Sequence, residues 1–258
     1  MARIIAVANQ KGGVGKTTTS VNLAASLAIS EQSVLLIDMD PQSNATSGLG
    51  LNPRNLTRTL YDCMMREEKV SEALLPTAVP RLSIVPANAD LVGAEVELVG
   101  VDGREAILRT ALQDILNNYD FIILDCPPAL GLLTINDLVA ASSVLVPVQC
   151  EYYAMEGLGR LMSNVKRVQD SLNPTLELEG IALTMYDSRN TLARQVAEEI
   201  RGHFKDKVYK TLIPRNVTLA EAPSYGQPVL LYNAASTGAQ AYLELAKEIL
   251  AHGEKSAR

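Results

Sequence analysis

The sequence predicts an α/β protein with a mostly parallel, twisted sheet and helices on both of its faces. Short apolar runs rich in β-branched residues alternate along the chain with longer segments of helical periodicity. Most of these runs are apolar throughout instead of alternating with polar residues, which indicates strands buried on both faces. Because parallel strands need a crossover between them, usually a helix, the alternation favours repeated β–α units.

The individual elements follow from this pattern. Seven predicted strands are Ile4–Ala8, Val34–Ile37, Leu82–Val85, Phe121–Leu124, Val144–Val148, Ile181–Met185 and Lys207–Ile213. Six predicted helices are Lys16–Ile29, Arg104–Asn117, Leu130–Ala141, Met155–Ser171, Thr191–Phe204 and Thr237–Ala251. The least regular stretch, Ser43–Val101, predicts an insertion on one domain. We expect a single domain over residues 1–252 and a frayed tail over residues 253–258.

Composition narrows the class of protein. The 258 residues are 47% hydrophobic and carry 23 Lys and Arg against 29 Asp and Glu, a net charge of −6. This charge argues against a globally basic nucleic-acid binder but allows a local basic patch. Three widely spaced cysteines favour a reducing compartment, and two histidines argue against a histidine-built zinc site. Since no apolar run approaches the roughly 18 residues of a membrane span, we expect a cytoplasmic protein.

The strongest motif is Lys11-Gly12-Gly13-Val14-Gly15-Lys16-Thr17-Thr18, which follows the first predicted strand and opens the first predicted helix. That context is typical of the phosphate-binding loop of a P-loop NTPase. Glycines let backbone N–H groups converge on phosphate oxygens, and the helix N-terminus adds a positive dipole. Lys16 is then expected to reach the β- and γ-phosphates, and the Thr17 hydroxyl to bind Mg²⁺.

The motif departs from the usual G-x-x-x-x-G-K-[ST] pattern, because Gln10 stands where the first glycine belongs and Lys11 precedes the glycine pair. In this it resembles the deviant Walker A motif of the P-loop ATPases that include ParA, MinD and the nitrogenase iron protein. The resemblance implies that Lys11 reaches across a nucleotide-sandwich dimer to the partner's phosphates. A second cation there would stabilise the charge that develops on the transferred phosphoryl group, so Lys11 and Lys16 are both candidate catalytic residues. Taken alone, Lys11 could also be a solvated loop lysine.

Three aspartates stand at the carboxyl ends of predicted strands. Asp38 and Asp40 follow one strand, and Asp125 follows another. Ligands of open parallel sheets bind at that edge, so the three carboxylates are expected in one pocket. An apolar strand that closes on aspartate is the Walker B layout, in which Asp125 would hold Mg²⁺ through water. The resemblance implies that Asp40 orients the attacking water and that Asp38 supports the outer shell of the metal; the alternative for each is to cap the next helix.

The sequence favours ATP as the nucleotide. It contains no Asn-Lys-x-Asp element of the kind that guanine-specific P-loop proteins use. The segment Ile213-Pro214-Arg215-Asn216 follows the last predicted strand, and in the resembling family this loop lines the adenine. The resemblance therefore implies base-pocket roles for Pro214, Arg215 and Asn216, although by itself the segment would pass as a turn. We expect ATP and Mg²⁺ as cofactors.

Four motifs carry a resemblance over nearly the whole chain: Asn9 to Thr19, Asp38 to Thr46, Asp125 to Pro128, and Glu221 to Gly226. They are similar to those of chromosomal ParA proteins, also called Soj. The resemblance implies an ATPase that becomes a homodimer with ATP, binds double-stranded DNA without sequence preference, and is reset when a ParB-like partner stimulates hydrolysis. It also implies association with the nucleoid. Because Ile4 already begins the first strand, no N-terminal helix-turn-helix extension and no operator-specific autorepression are expected.

Positive charge concentrates late in the chain. The window Asp187–Arg215 holds seven basic and four acidic residues, a net charge of +3, and phosphate contacts need such local charge. The candidate DNA contacts are Arg189, Arg194, Lys205, Lys207, Lys210 and Arg215. The resemblance implies a basic patch near Arg189, while Thr218 and Gln227 stand where many relatives are basic. An ordinary solvated helical face is the alternative; a dimer would present any patch twice and gain avidity.

Two rival functions use the same fold. A MinD-like membrane ATPase needs a basic amphipathic C-terminal helix, whereas Ala241–Ala251 is amphipathic but holds one basic residue, Lys247. A carrier like the nitrogenase iron protein needs two cluster-ligating cysteines per chain near the dimer axis, whereas neither Cys126 nor Cys150 has a second cysteine nearby in sequence. We expect both cysteines to be small buried residues and no attachment to a membrane.

Overall fold

The structure, a computed structural model, describes residues 2–256, with side chains through residue 253. Its strands form one eight-stranded sheet: β1 Arg3–Val7, β2 Val34–Asp38, β3 Leu75–Pro76, β4 Leu82–Val85, β5 Phe121–Asp125, β6 Ser143–Gln149, β7 Glu177–Tyr186 and β8 Val208–Pro214. The order across the sheet is β3-β4-β2-β5-β1-β6-β7-β8. All pairings are parallel except that of the two-residue β3 with β4. The predicted fold class is confirmed.

Helices cover both faces of this sheet: α1 Lys16–Ile29, α2 Asn44–Gly48, α3 Leu60–Met65, α4 Val70–Ala73, α5 Leu91–Glu97, α6 Ile107–Ala111, α7 Leu132–Ala140, α8 Ala154–Ser171, α9 Thr191–Phe204, α10 Val217–Glu221, α11 Val229–Tyr232 and α12 Thr237–Ser256. One core lies under α1 and α12, and the other lies under α7, α8 and α9. Ile5 and Leu36 face the first core, whereas their neighbours Ile4 and Leu35 face the second. Burial on both faces explains why the strands are apolar throughout.

The predicted continuous helix Arg104–Asn117 is wrong. A 3₁₀ turn precedes α6 and a second one follows it. The cause is a side chain from α7: the Asn136 amide donates to the carbonyl of Arg104 at 2.8 Å and accepts from the amide of Leu108 at 3.1 Å. These bonds take up backbone groups that a regular helix would pair with each other.

Two further segments add detail to the expectation. The irregular stretch Ser43–Val101 contains four short α-helices, and the strand predicted within it, β4, pairs with β2 inside the main sheet. The last helix, α12, continues five residues past the predicted end at Ala251, through Ser256. The expected tail therefore begins inside a helix, and residues 257–258 lie outside the described part of the chain.

Parallel register brings the ends of the central strands together. Val7, the last residue of β1, pairs with Asp125, and Asp125 also pairs with Asp38 of β2. The loop after β1 therefore opens beside both aspartates, at the carboxyl edge where ligands of such sheets bind. Across residues 2–256, no helix combines the length and apolar character needed to cross a membrane.

Candidate active site

The loop between β1 and α1 has the backbone form that its glycines predict. Gly13 and Gly15 adopt φ angles of 74° and 86°, in the left-handed region that glycine enters without strain. Gly15 is the N-cap of α1. Gly12 and Gly13 are exposed, whereas Val14 is buried. The loop therefore presents its backbone to solvent at the N-terminus of a long helix, the arrangement that binds anions.

Two polar side chains outside the motif hold this loop in place. The Asn9 amide donates to the carbonyl of Pro147 in β6 at 2.7 Å, and its oxygen accepts from the amide of Lys11 at 3.0 Å. The Thr184 hydroxyl of β7 donates to the carbonyl of Val14 at 2.8 Å. Asn9 and Thr184 therefore anchor the loop to two neighbouring strands. Neither was a predicted site residue, because hydrogen bonds over such sequence distances leave no local signal.

Lys16, the first residue of α1, is buried with only 8% of its surface exposed. Its Nζ donates to the carbonyl of Lys11 at 3.3 Å. Burial lowers the pKa of Lys16 below the ordinary lysine value, and the negative charges of Asp125 and Asp40 oppose that shift. A buried ammonium whose direct hydrogen-bond acceptor is a neutral carbonyl would be better satisfied by phosphate oxygens.

Lys11 has a different environment, at the rim of the site. Its side chain is 42% exposed and forms an ion pair with Glu151, which follows β6. Glu151 was not a predicted site residue; an isolated glutamate after a strand carries no recognisable motif. Lys11 is thus held by a carboxylate of its own chain and would have to leave it to contact a phosphate bound elsewhere.

Asp125 is the buried end of β5. Its Oδ1 accepts a hydrogen bond of 2.7 Å from the hydroxyl of Ser20, one turn into α1 from Lys16. Its Oδ2 is buried and accepts no hydrogen bond of ordinary geometry from a described residue, and the nearby Thr17 hydroxyl acts to lower the pKa of this carboxyl. Burial raises the pKa of Asp125 above the ordinary aspartate range, and the charge of Asp38 adds to the shift. A Mg²⁺ ion with its shell of water would satisfy this orphaned oxygen beside the Thr17 hydroxyl, so the residues present fit the metal.

Asp38 is fully buried and uses both carboxylate oxygens inside the protein. Oδ1 accepts from the amide of Asp40 at 3.1 Å, and Oδ2 accepts from the amide and hydroxyl of Thr46 at 2.8 and 2.7 Å. Burial raises its pKa, and the hydrogen bonds from Thr46 and Asp40 oppose this. Both oxygens of Asp38 accept hydrogen bonds from the segment after β2. Asp38 therefore fits a role in supporting the outer shell of the metal better than direct metal ligation.

Asp40 lies in the loop between β2 and α2 and is 8% exposed. Its Oδ1 accepts from the amide of Gln42 at 2.9 Å, and its carbonyl accepts from the amide of Ser43 at 2.8 Å. These bonds fix the carboxylate near the positive charge of Lys16. A carboxylate accepts more than one hydrogen bond on each oxygen, so Asp40 can also accept one from a water molecule.

A cavity of about 300 Å³ opens beside the loop. Its walls are Gly15, Thr18, Thr184, Met185, Ile213, Pro214, Arg215, Asn216, Leu219, Ala220 and Tyr242. Asn216 is held rigidly, since its oxygen caps α10 by accepting from the amide of Leu219 at 3.1 Å and its amide donates to Thr237 at 2.9 Å. The structure therefore brings the predicted base-pocket residues next to the predicted phosphate loop. A mostly apolar cavity of this size suits a purine ring.

The predicted basic residues do not form one cluster. Arg189 and Arg215 follow β7 and β8 at the carboxyl edge, and Arg194 lies in the first turn of α9. Lys205 and Lys207 follow the far end of α9, and Lys210 lies early in β8. The helix α9, whose 14 residues span about 21 Å, runs from the arginines near its start to the lysines beyond its end. The six candidate residues therefore do not share one surface, because the strand–helix–strand path returns the lysines to the opposite edge of the sheet; their contact with DNA stays a prediction.

Arg189, Arg194 and Arg215 are here called the arginine group. The side chain of Arg189 is 88% exposed and pairs with both oxygens of Asp187, at 3.0 and 2.8 Å. Hydrogen bonds from Arg189 lower the pKa of Asp187 to about 2, and the charge of Arg215 contributes to the shift. Arg215 therefore lies close enough to belong to the same surface. Because the guanidinium of Arg189 carries five N–H groups, some of them remain available to another acceptor while Arg189 is paired with Asp187.

A further carboxyl is buried behind the site. Asp137 of α7 is fully buried, and neither of its oxygens accepts an N–H or O–H hydrogen bond from a described residue. Burial raises the pKa of Asp137 well above the ordinary value, and a hydrogen bond with the thiol of Cys126 partly opposes this. Cys126 and Cys150 are both buried, as expected from the sequence.

The raised pKa of Asp137 predicts that the stability of the fold depends on pH. The folded state keeps a proton on Asp137 at pH values where the unfolded chain, with a pKa near 3.9, has lost it. The free energy of unfolding of the nucleotide-free protein should therefore fall as pH rises above about 4. We expect Asp137→Asn to reduce this fall and to raise the melting temperature at pH 8 by more than about 2 °C.

The measurement is thermal unfolding of both proteins at pH 5 and pH 8 without nucleotide. Asp38 and Asp125, whose pKa values are also raised, contribute a fall of the same sign in both proteins. Equal dependence on pH in the variant and the wild type would show that Asp137 is ionised in the folded state.

The chain is similar to known proteins both in sequence and in structure. A sequence profile of the AAA domain family AAA_31 matches residues 2–178. The chromosome partitioning protein ParA of Myxococcus xanthus is 54% identical over 250 residues, which cover 97% of this chain and 88% of that protein. The sporulation initiation inhibitor protein Soj of Bacillus subtilis is 54% identical over 253 residues, 98% of this chain and 100% of that protein. A solved structure of cobyrinic acid a,c-diamide synthase from Mycobacterium smegmatis with bound ADP and magnesium has a TM-score of 0.87 and 40% identity, covering 100% of this chain and 97% of the other.

Proposed function

Because the chain belongs to the ParA/Soj family of chromosome-partitioning ATPases, we propose that its ATP-bound form is a sandwich dimer that binds DNA without sequence preference. Hydrolysis, stimulated by a ParB-like partner, would release the DNA and reset the cycle on the nucleoid. The ATPase machinery would occupy a single domain, residues 1–252. The observation that carries the proposal is the pair of loop lysines, one buried in the site and one exposed at its rim.

Different groups of the site would bind the phosphates, the adenine and Mg²⁺. The loop amides from Lys11 to Thr18 and the ammonium of Lys16 would bind the phosphates, and the cavity beside Asn216 would hold adenine. The Thr17 hydroxyl and, through water, Asp125 would hold Mg²⁺, which supplies neutralisation of the phosphate charge when bound. Ser20 keeps Asp125 in its rotamer by donating to Oδ1.

Hydrolysis needs a water molecule aligned with the terminal phosphate. Asp40 can accept a hydrogen bond from that water, and its own position is fixed by the amide of Gln42 and by Asp38, which accepts from the Asp40 amide. Lys11 would donate to the phosphates of the other subunit after leaving Glu151, and so add positive charge where negative charge develops. Dimerisation and catalysis would then depend on the same lysine.

The loop surface allows such a close approach. Gly12 is exposed, and a methyl group built at its Cα would meet no other atom within 4 Å in the single chain. Gly12 is also outside the left-handed region, so the chain itself does not require glycine there. An approaching second loop is one reason for the absence of a side chain at this position.

Gly12→Val should therefore leave the fold and ATP binding intact but prevent the ATP-dependent dimer. The added side chain would occupy the space that the second subunit needs. Sedimentation velocity with ATP or a non-hydrolysable analogue measures the dimer, and nucleotide binding to the same sample is the control. A normal ATP-dependent dimer in this variant would refute the sandwich arrangement.

The DNA contacts would come from the arginine group, Arg189, Arg194 and Arg215. Arg189→Ala should preserve ATP binding and dimerisation but weaken DNA binding equally for all sequences, because phosphate contacts carry no base information. The slope of log affinity against log salt should fall by roughly one for each lost contact, hence by about two per dimer. DNA affinity at several salt concentrations, with a non-hydrolysable analogue, measures both quantities.

Lys205→Ala is the matched control, since it removes one positive charge from the opposite end of α9. If Lys205→Ala weakens binding and Arg189→Ala does not, the lysine group is the DNA surface instead. Loss of the ATP-dependent dimer in Arg189→Ala would make Arg189 an interface residue.

The function as a whole is tested by DNA co-sedimentation without nucleotide, with ADP, with ATP and with a non-hydrolysable analogue. We expect sedimentation with DNA only in the two ATP-like states, and to a greater extent with the analogue, because hydrolysis ends the bound state. Equal sedimentation in all four conditions, or in none, would contradict the proposal.

A MinD-like membrane role finds less support in the structure, because the apolar face of α12 is already used. Tyr242, Leu245 and Ile249 are at most 1% exposed and pack in the core beneath the sheet. Glu248 of the same helix accepts hydrogen bonds from the amides of Lys210 and Thr211 at 2.9 and 2.7 Å. The segment of α12 that includes these residues would have to detach from the core before it could lie in a membrane interface. Flotation with anionic liposomes and ATP distinguishes the two functions.

A further inference from the structure

An unpartnered row of valines lies on α5 and the turn that follows it. Val92, Val96 and Val99 are 61%, 72% and 63% exposed. The same segment buries Leu91, Ala94 and Leu98 in the core beneath it, so the helix already has a packed face. Three adjacent valines on the other face, here called the valine ridge, stay mostly exposed in the single chain.

The surroundings of the valine ridge are acidic. At 3.6 residues per turn, Glu95 and Glu97 project on either side of the ridge. Residues 86–106 contain five acidic residues and one basic residue, a net charge of −4. That basic residue, Arg104, donates to the carbonyl of Val99 and pairs with Glu105, so its charge is already compensated. The ridge is an apolar strip on a segment of net negative charge, in which the carboxylate of Glu97 also accepts hydrogen bonds from the Tyr61 hydroxyl at 3.2 and 3.1 Å.

We propose that the valine ridge is the docking site for a basic amphipathic segment of the activating partner protein. An apolar stripe on that segment would cover the valines, and lysines or arginines beside the stripe would face Glu95 and Glu97. A second copy of this chain is the less favourable occupant, since a two-fold contact between identical ridges would place acidic borders against acidic borders. The inference rests on the proposed function, which requires a partner that stimulates hydrolysis.

The ridge is physically connected to the active site. The carboxylate of Glu95 lies so close to Gly131 that a methyl group at that Cα would overlap its Oε1. Gly131 is the N-cap of α7 and ends the loop that begins after Asp125. A segment that draws Glu95 toward its own cations would therefore move this carboxylate away from the end of the loop. Docking on the ridge can change the position of the residues that follow Asp125 without touching the nucleotide.

The test uses two synthetic amphipathic helical peptides of about five turns, with leucines at helical spacing and with either lysine or glutamate at the remaining positions. Fluorescence anisotropy measures their binding to the full chain with a non-hydrolysable ATP analogue. We expect the lysine peptide to bind the wild type and the glutamate peptide not to bind. The double variant Val92→Lys and Val96→Lys should weaken binding of the lysine peptide by at least about tenfold.

Ile29→Lys is the matched control, because Ile29 is an exposed apolar residue, 45% exposed, at the end of α1 remote from the ridge. It should bind the lysine peptide like the wild type. The proposal is overturned if the lysine peptide does not bind the wild type, or binds the double variant equally well. Loss of the ATP-dependent dimer in the double variant, seen by sedimentation velocity, would identify a second copy as the occupant instead.

These outcomes are independent of the tests of the proposed function. ATP-dependent DNA co-sedimentation with failed peptide binding would leave the partitioning function standing and remove the docking site. Failure of co-sedimentation with specific peptide binding would do the reverse. Both lysines replace strongly exposed valines, and the melting temperature of the double variant verifies that it is folded.

Discussion

Lys16→Ala should abolish ATP binding, with an expected loss of affinity of at least about 100-fold. The variant removes the buried ammonium of the site, whose direct acceptor in this structure is the carbonyl of Lys11. Charge-assisted hydrogen bonds to phosphate contribute about 1.5–3 kcal/mol each, and two such bonds account for the expected loss. The loop amides remain, but neutral donors cannot balance the charge of a triphosphate.

Calorimetric titration with ATP and Mg²⁺ measures this effect directly. Lys11→Ala is the matched control, because it removes the other loop lysine, which is exposed and paired with Glu151. We expect Lys11→Ala to bind ATP with near-normal affinity and to fail in dimerisation and hydrolysis. Normal ATP affinity in Lys16→Ala would refute the assignment of the phosphate loop.

The features that the sequence predicted well are local ones. The loop from Lys11 to Thr18 could be identified because glycines, lysine and threonine stand at fixed spacing between a strand and a helix. The predicted bounds of α1 and α9 agree with the structure. Both begin at recognisable signals: Lys16 follows the left-handed Gly15, and Thr191 follows the capping side chain of Asn190.

The features that could not be predicted depend on contacts between distant parts of the chain. Glu151 meets Lys11 and Ser20 meets Asp125 only after the sheet has assembled. The break in the helix predicted from Arg104 arises from the side chain of Asn136, which lies two elements later. The net charge of a sequence window likewise could not show that the basic residues before and after α9 lie at opposite edges of the sheet.

Local patterns identify which residues meet the nucleotide, but they do not rank the aspartates. All three stand after apolar strands, and apart from the family resemblance no pattern in the sequence separates their roles. The hydrogen bonds separate them. Both oxygens of Asp38 accept hydrogen bonds from the protein, whereas one buried oxygen of Asp125 accepts none of ordinary geometry. Asp40 is held by the amide of Gln42 in the loop after β2.

Asp40→Ala should accordingly bind ATP and remain a dimer while losing hydrolysis. The phosphate-binding loop does not include Asp40, so affinity for ATP should change little. Loss of the carboxylate that aligns the attacking water should lower the turnover rate by about 10²–10⁴, which corresponds to about 3–5 kcal/mol in the barrier. Single-turnover hydrolysis measures the rate, and sedimentation velocity with ATP measures the dimer.

Asp40→Asn separates the charge of this side chain from its structural contact. The asparagine oxygen can still accept the hydrogen bond that Asp40 receives from the amide of Gln42, so the loop should keep its shape. A neutral amide is a weaker acceptor for the proton of the water, and hydrolysis should fall nearly as far as in Asp40→Ala. If the asparagine variant hydrolyses ATP normally, Asp40 acts by holding the loop. If either variant fails to bind ATP, Asp40 belongs to the metal or phosphate site instead of the water site.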